Sequence, residues 1–491
     1  MVYPGLCNKN DWPACTTGTL LAVALPADHA SDPFLTNWTK PAYNPVVEST
    51  ERDPSTAWQT PTGEWRLTNY EGKIFSSRDF KTWARAADGA TPFPIAECPD
   101  FFPVPARCTG NGCTLPAPAG FAPTHVHKHS DRGDWYTFGT YTDGADGTSG
   151  TWAVSNNTTD PRGLPLDASQ LLGGAMTFYA SKSFLDPAGG GGGGRRVFWG
   201  WALVPPASTQ TLPRVTTFHA ALQRLVFAPA PELAALRGAP LFAAAAVPLA
   251  PGASAPLSAG WAPGAGNVSE AALAFALPAA DATFGVRIFG DAAARGAFDE
   301  LEIAFDAAAF TARVAWGAGG APPAESYYMP GIDMPGDDLN VTNVAYGDPR
   351  ICQAACNATA ACTGFTYVVR PPLKGACCLK SGYPALKRSA TCTSGVKPGG
   401  PPPPPAAGAP IPLLAGDAAI DVRVFLDNTF IEVFLMEGRV ALTLTTSGPL
   451  ANAAVELYSK SGAGVTATGV TVWPLASIWE SPQEVLARRR L

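Results

Sequence analysis

Charge is scarce in this chain, and positive charge is nowhere concentrated. Lys and Arg number 34 against 40 Asp and Glu, charged residues make up 15% of the sequence, and the formal net charge is −6. Nucleic-acid binding needs basic patches that neutralise phosphates, and none is present. The polybasic cluster that would hold an anionic membrane surface is lacking too. No apolar run is long enough to cross a bilayer: the best stretch, "APLFAAAAVPLAP", is short, rich in Ala and interrupted by Pro248. The first residues, "MVYPGLCNKND", have neither the basic nor the apolar segment of a signal peptide.

Glycine (50) and proline (49) are abundant, which implies many turns, short strands and few long helices. The 491 residues exceed one ordinary core, so about two or three domains are expected. Eleven cysteines are many for a cytosolic protein. N-x-S/T sequons stand at Asn37, Asn156, Asn157, Asn267, Asn340 and Asn357. Together these features point to an oxidising compartment, and a secretory protein without a leader implies a chain that lacks its N-terminus. Cys352, Cys356, Cys362, Cys377, Cys378 and Cys392 crowd into one segment; Cys108 and Cys113 flank the turn "TGNG"; Cys7 and Cys15 flank "NKNDWPA". Pairing within these groups leaves Cys98. Zinc is the rival reading of the large group, but adjacent Cys377 and Cys378 do not give the usual ligand spacing twice, so disulfides are favoured and no metal is expected.

Up to about Phe227 the chain reads as short strands, among them "TLLAVAL", "EWRLTNY", "DWYTFGTY", "MTFYASKSF" and "RRVFWGW", each bounded by Gly, Pro, Asp or Asn. Recurring Trp and Tyr suit a sandwich or the blades of a propeller. A helix-like "PELAALR" ended by Gly238 follows. Beyond it, "DATFGVRIF", "FDELEIAFDAAAFTARVAW", "AIDVRVFLDNTFIEVFL" and "RVALTLTTSG" alternate apolar and polar residues as a half-buried sheet does, and predict a β-sandwich. A cysteine-rich module is spliced into that sandwich and leaves through the polyproline spacer "KPGGPPPPPAAGAP".

Two carboxylates carry the candidate chemistry: Asp53 in "ERDPSTAW" and Glu97 in "AECPDFF". Taken singly, an Arg-Asp-Pro tripeptide is more often a turn with a local salt bridge, and a Glu before Cys-Pro is more often merely exposed. Each, however, precedes an aromatic-rich strand in successive repeats, and propeller blades bring equivalent strands to a common axis. Glycoside cleavage needs a protonated acid at the leaving oxygen and a second carboxylate opposite it. Ile95, Pro99, Phe101 and Phe102 are expected to desolvate Glu97 and raise its pKa, keeping it protonated.

The stretch from "LLAVALPADHASDPFLTNWTKPAYNPVV" through "RDPSTAW", "GEWRL", "SSRDFKTW" and "AECPDFFPV" resembles glycoside hydrolase family 32, the invertase and fructan-hydrolase family. The likeness continues through "HVHKHS", "DWYTFGTY", "TFYASKSF", "RRVFWGW" and "TQTLPR", and returns as "VRVFLDNTFIEVFLMEGRVALT" and "VTVWPLASIW". The resemblance implies an all-β fold, a five-bladed β-propeller followed by a β-sandwich, and retaining cleavage of β-fructofuranosides such as sucrose or fructans without a cofactor. It implies that Glu97 is the general acid/base and Asp53 the transition-state stabiliser. Arg52, Cys98, Asp100 and Tyr179 are then substrate-site residues, although Asp100 also reads as a structural acceptor. The insert, with "DMPGDDL", "CQAACNATAACTGFTYV" and "CCLKSG", resembles a PAN/Apple module. Its helix is expected in "PRICQAACNATA" and its ligand is expected to be a glycan or a protein, unless it is a passive decoration. The expected division is residues 1–238 partial propeller, 239–326 first part of the sandwich, 327–398 insert, 399–410 linker and 411–491 second part of the sandwich.

Several departures qualify that picture. The family's nucleophile is an aspartate in a Trp-Met-Asn-Asp-Pro-Asn-Gly type motif on the first blade, and no such motif occurs in this sequence. The likeness starts within the second blade, so about three and a half blades are expected, with the nucleophile absent and this chain inactive alone. Asp11 does not match the motif's position. Gly174 and Thr177 stand where the family often has an Asp and a Lys that bind sugar, which puts sucrose in doubt. The alternatives are a non-catalytic carbohydrate-binding protein or a fructosyltransferase. His125, His127 and His129 share one strand face and could bind a metal, but a partly exposed blade strand is favoured. Glu432 in "FIEVF" is read as structural. The expected location is secreted, cell wall or vacuolar.

Overall fold

Aromatic and β-branched runs punctuated by Gly, Pro and Asp fold here as short antiparallel strands. The computed structural model describes residues 2–6, 19–23, 25–26, 37–50, 52–85, 92–109, 112–131, 133–144, 149–155, 160–172, 177–187, 194–204, 208–291, 297–320, 327–333, 336, 338–343, 350–368, 375–381, 387–397, 408–446 and 450–477. Cys7, Asp11, Cys15, Asn156, Asn157 and Gly174 lie outside them. The chain divides into two units, with residues 167–177 and 202–211 grouping with the second.

Among the described residues, successive antiparallel sheets of the first unit follow one another as propeller blades. One sheet joins β1 (Val2–Leu6), β2 (Thr19–Val23) and β3 (Val47–Thr50). The next runs β4 (Trp58–Gln59), β5 (Trp65–Thr68), β6 (Ile74–Ser77) and β7 (Ala84–Arg85). A third runs β8 (Glu97–Pro103), β9 (His125–Ser130), β10 (Asp134–Asp143) and β11 (Gly150–Val154). A fourth is formed by β12 (Phe178–Asp186), β13 (Arg195–Ala202), β14 (Arg214–His219) and β15 (Arg224–Pro229). Aromatic residues pack between neighbouring sheets. Trp58 and Ile74 of one pack on Phe101 of the next, with Phe93 between, and Phe102 meets Phe198 at 5.6 Å between ring centroids. Gly72 permits a close approach: its φ is +71°, and a Cβ there would collide with the Phe93 carbonyl.

Strand β9 shows what alternation does to "HVHKHS". Its three histidines share a face, as expected, and stack into an aromatic ladder. The His125 ring lies 4.9 Å from Phe101 at 5°, His127 lies 4.9 Å from Phe93 at 9°, and His129 lies 5.7 Å from His127. The expectation of a partly exposed strand is corrected, because His127 and His129 are buried. Burial disfavours their charged forms: His125 and His129 are pushed down to about 4, and His127 falls well below its ordinary value, its neighbours His129 and Lys128 adding to the effect.

The second unit contains the sandwich. One six-stranded sheet is ordered Phe242–Leu249, Val465–Pro474, Val268–Ala276, Ala419–Asp427, Phe430–Leu435, Val440–Thr445. The other is ordered Ser254–Pro256, Ala454–Gly462, Ala282–Phe289, Ala297–Asp306, Thr311–Gly320, Ala409–Ile411. Ile420, Val422 and Val424 point inward with Ile431, Val433, Phe275 and Phe284, all in one core; burying each such side chain contributes about 1.5–3 kcal/mol. The "PELAALR" segment is a 3₁₀ turn, Pro231–Leu236, rather than an α-helix. Glu270 is wholly buried in this unit and is held by Arg237 at 2.7 and 2.8 Å and by Arg423 at 2.6 and 2.9 Å.

Thr311–Gly320 and Ala409–Ile411 are neighbouring strands, paired Ala312 to Ile411, so the chain leaves and re-enters the sandwich at adjacent points. Between them stands a separate five-stranded sheet ordered Tyr327–Asp333, Lys387–Val396, Gly364–Val368, Ala376–Lys380, Asp338–Asn343, with the helix Arg350–Ala358. Cys352–Cys377 and Cys356–Cys362 are disulfides, and Cys108–Cys113 closes the "TGNG" turn. Complete pairing of the group is overturned: Cys378 is a free thiol. Strand Gly364–Val368 separates the strands of Cys378 and Cys392, and two inter-strand steps of about 4.8 Å exceed the reach of a disulfide.

Two stability outcomes follow. A base whose folded pKa is depressed takes up protons more readily when unfolded, so the histidine ladder's contribution is full above about pH 6.5. It is lost as pH falls from about 6.5 towards about 4, by up to ~1.4 kcal/mol per unit for each histidine. The melting temperature should drop through that window, and less steeply in His127→Phe; an equal slope in that variant would refute the neutral ladder. Glu270→Gln leaves two arginines against an uncharged amide and should cost about 3 kcal/mol in denaturant unfolding, whereas Lys460→Gln, at an exposed pair, should cost under about 1 kcal/mol.

Candidate active site

Three backbone departures in the first unit present the site. Asp53 lies ahead of β4 with φ 61°, Cys98 follows Glu97 at the head of β8 with φ 47°, and Ala180 follows Tyr179 on β12 with φ 49°. A left-handed non-glycine residue costs about 1–2 kcal/mol, so three in one site need strong local support. A register shift between Glu97 and Asp100 accompanies the turn at Cys98.

Glu97 is the hub. Its Oε2 accepts the Tyr179 hydroxyl at 2.5 Å, and its Oε1 accepts Arg52 Nη2 at 2.8 Å. The same guanidinium has Nε 3.6 Å from Asp53 Oδ2 and lies over the Tyr70 ring at 4.1 Å. Asp53 Oδ2 also accepts the Cys98 amide at 3.0 Å, with the thiol 3.9 Å away. The structure thus brings together Arg52, Asp53, Glu97, Cys98 and Tyr179. Tyr70 escaped the sequence reading; nothing in its spacing marks it as the platform under Arg52.

The expected electrostatics of Glu97 are overturned. Its side chain is 42% exposed. The Tyr179 hydroxyl, and after it Arg52, outweigh the effect of burial and hold the carboxyl below its usual range. The residues expected to desolvate it point elsewhere: Ile95 is 69% exposed, Phe101 lies in the aromatic core, and Phe102 packs on Phe198. The bulge is the reason, since it takes Glu97 out of the alternation that Phe101 and Phe102 follow. Burial and the Glu97 charge push the Tyr179 phenol up, and burial pushes the Cys98 thiol up, against Lys128. Tyrosine is thus the donor and Glu97 the acceptor.

Of the two roles open to Asp100, the structural one matches its surroundings. It is wholly buried. Oδ1 accepts the amides of Thr56 at 3.3 Å and Phe101 at 3.1 Å, and Oδ2 accepts the Ser183 amide at 2.9 Å and hydroxyl at 2.5 Å. Arg196 Nη1 donates to the same Ser183 hydroxyl at 2.9 Å. Sequence reasoning also passed over Lys128 and Lys182, beneath the site. The signal was partial: the lysine of "HVHKHS" stands in phase with buried Val126 and Ser130, whereas that of "YASKSF" stands in phase with exposed Phe184 and gave none.

Thr177 belongs to the second unit, where its hydroxyl donates to the Thr443 carbonyl beside Asp167, which accepts the Thr443 amide at 3.1 Å and hydroxyl at 2.8 Å. Glu432 is buried within its sandwich strand. Among the described residues, the one group with metal-ligand proximity is Cys108, Cys113 and His219, and the two sulfurs there are joined to each other.

Comparison with known proteins bears on this geometry. Residues 12–226 match the profile described as "Glycosyl hydrolases family 32 N-terminal domain", residues 389–474 match the family's C-terminal profile, and residues 332–380 match a PAN domain. Similar relatives include the beta-fructofuranosidase insoluble isoenzyme 2 of Oryza sativa subsp. indica, 34% identical over 251 residues that cover 44% of this chain and 39% of the relative. The insoluble isoenzyme 1 of Daucus carota is 32% identical over 246 residues, covering 44% of this chain and 38% of the relative. The matched part is thus about two fifths of these relatives' length. Among solved structures, fructan 1-exohydrolase IIa from Cichorium intybus in complex with 1-kestose aligns with a TM-score of 0.59 at 19% identity, over 97% of this chain and 81% of that one. An exo-inulinase from Aspergillus awamori aligns with a TM-score of 0.54 at 13% identity, over 94% and 75%. Both show the same fold.

Tyr179→Phe removes the first of the two groups that stabilise ionised Glu97. The carboxyl midpoint, followed by ¹³C NMR of labelled Glu97, should move upward. An unmoved midpoint would mean that Arg52 alone sets the charge.

Proposed function

We propose that this chain, which belongs to glycosyl hydrolase family 32 and carries both of its characteristic domains, forms the fructose-unit site of a retaining β-fructofuranosidase. The observation that carries the reading is the Arg52–Asp53–Glu97–Tyr179 cluster: two carboxylates bridged by one guanidinium, one of them half-open to solvent and one held by a backbone amide. Glu97 is the general acid/base. As acid it protonates the leaving glycosidic oxygen; as base it takes the proton of the water that releases the sugar. The Tyr179 and Arg52 contacts favour its base form, and a sugar hydroxyl that draws Arg52 away would move its pKa upward, in the direction an acid needs. Asp53, fixed by the Cys98 amide, accepts hydrogen bonds from sugar hydroxyls and stabilises positive charge developing at the anomeric carbon.

Retaining cleavage also needs a carboxylate nucleophile, and the family's Trp-Met-Asn-Asp-Pro-Asn-Gly type motif does not occur in these 491 residues. Turnover by this chain alone is therefore not expected, whereas binding is. The disulfides fit an oxidising compartment, and we assign the protein to the secretory route, the cell wall or the vacuole.

Titration calorimetry with 1-kestose and sucrose, together with an assay of released fructose, tests both parts. The expected result is binding without hydrolysis, weakened about 10- to 100-fold in Asp53→Asn, as loss of a charged hydrogen bond implies. Release of fructose that Glu97→Gln abolishes would keep the enzyme reading and overturn the missing nucleophile. Absence of binding to either sugar would overturn the site.

A further inference from the structure

Two ammonium groups lie beneath the site and make no hydrogen bond to Glu97 or Asp53. Lys128 Nζ is wholly buried and donates to the carbonyls of Cys98 at 3.2 Å and Ser181 at 2.8 Å and to the Ser130 hydroxyl at 3.0 Å, with Asp134 Oδ2 at 2.9 Å as its counter-charge. Asp134 in turn accepts the Ser181 amide at 2.7 Å and the Ser130 hydroxyl at 2.6 Å. Lys182 Nζ donates to the carbonyls of Pro54 at 2.8 Å and Pro99 at 2.7 Å. All four backbone acceptors coincide with the backbone departures of the site. Cys98 is itself left-handed, Pro99 follows it, Pro54 follows Asp53, and Ser181 follows Ala180.

We propose that Lys128 and Lys182 are positioning residues: one buried and one half-buried cation that clamp, through backbone carbonyls, the three left-handed turns from which Asp53, Glu97 and Tyr179 are presented. This rests on the reading of those three as a fructose-unit site.

Lysine suits the task. Its ammonium is a compact charge with three donors, able to serve carbonyls from separate strands, where the flat arginine fork prefers two parallel acceptors. The carbonyls need it, because both Asp53 and Cys98 precede a proline, which removes a backbone donor where the chain turns. Each cation has a carboxylate in the same floor: Asp134 pairs with Lys128, and Asp100 acts on Lys182 through its field, against the burial that lowers the lysine's pKa. The arrangement differs from one that only joins blades. A joint could be replaced by any well-packed side chain, but apolar replacement here would free four carbonyls at the turns that hold the site.

Cys98 reports on the clamp. The charged groups facing its thiol are Lys128 and Lys182, which favour the thiolate, and Asp53 and Asp134, which oppose it; Tyr179 and the adjacent Glu97 complete its surroundings. Three variants of the full chain are compared with the parent: Lys128→Met, Lys182→Met and the surface control Lys460→Met. Melting temperature is measured first. The pH midpoint of Cys98 alkylation by iodoacetamide is then followed on the Cys98 peptide by mass spectrometry, and 1-kestose affinity by calorimetry. The expected result is an upward shift of the alkylation midpoint and a loss of affinity of about tenfold or more in both the Lys128 and the Lys182 variant, with neither change in Lys460→Met. Folded Lys→Met variants that keep the parental midpoint and affinity, losing only melting temperature, would reduce the lysines to structural joints and overturn the proposal. If a methionine variant does not fold, Lys182→Gln, which keeps two uncharged donors, carries the same comparison. If the parent binds no 1-kestose, the sugar reading fails by itself, and the alkylation midpoints still decide whether the lysines set the geometry and field of the turn.

Discussion

The buried carboxylate of Asp100 ties together what the rest of the site depends on. Its hydrogen bonds end on Thr56 ahead of β4, on Phe101 of β8 and on Ser183 of β12, so one side chain fixes three successive sheets against one another. Those three stretches of chain are also the ones that present Asp53, Glu97 and Tyr179. A carboxylate with no solvent of its own must satisfy its oxygens internally, and doing so here sets the spacing between blades. The aromatic packing of Phe101 and Phe102 then fills the space on either side.

The charges of the site nearly balance. Arg52, Lys128, Lys182 and Arg196 stand with Asp53, Glu97, Asp100 and Asp134, and most have hydrogen-bonded partners inside the first unit. Such an arrangement offers oriented donors and acceptors in number without a strong net field, as the proposed sugar site requires. The histidines of β9 reach the same end by another route, since burial in an aromatic stack keeps them uncharged.

Much of the fold was legible because period and punctuation agreed. "AIDVRVFLDNTFIEVFL" became the hairpin Ala419–Asp427 and Phe430–Leu435, with Ile420, Val422 and Val424 in the core. "DWYTFGTY" and "RRVFWGW" became blade strands. Of the candidate site, Asp53 and Glu97 were legible as motif residues and lie together about Arg52, but the charge state of Glu97 was not legible. Apolar neighbours in sequence were taken as neighbours in space, and the bulge between Glu97 and Asp100 separated the two. Lys128 was hidden for the opposite reason: its alternation was correct, but a lysine in a strand is ordinarily a solvated one, and Lys182 stands in phase with exposed Phe184. Cys378 was misjudged because counting cysteines ignores the strand lying between two of them.

The position of the disulfide module has an evolutionary consequence. The sandwich strands that flank it, Thr311–Gly320 and Ala409–Ile411, pair directly with each other. The entropy of closing a loop between fixed ends grows only with the logarithm of its length, so the sandwich is nearly indifferent to whether that loop holds a handful of residues or a whole module. Such a junction is an open socket. Modules can be gained, exchanged or discarded there by descent without renegotiating the core on either side, and the blades are free to keep their chemistry while the cargo of the sandwich changes.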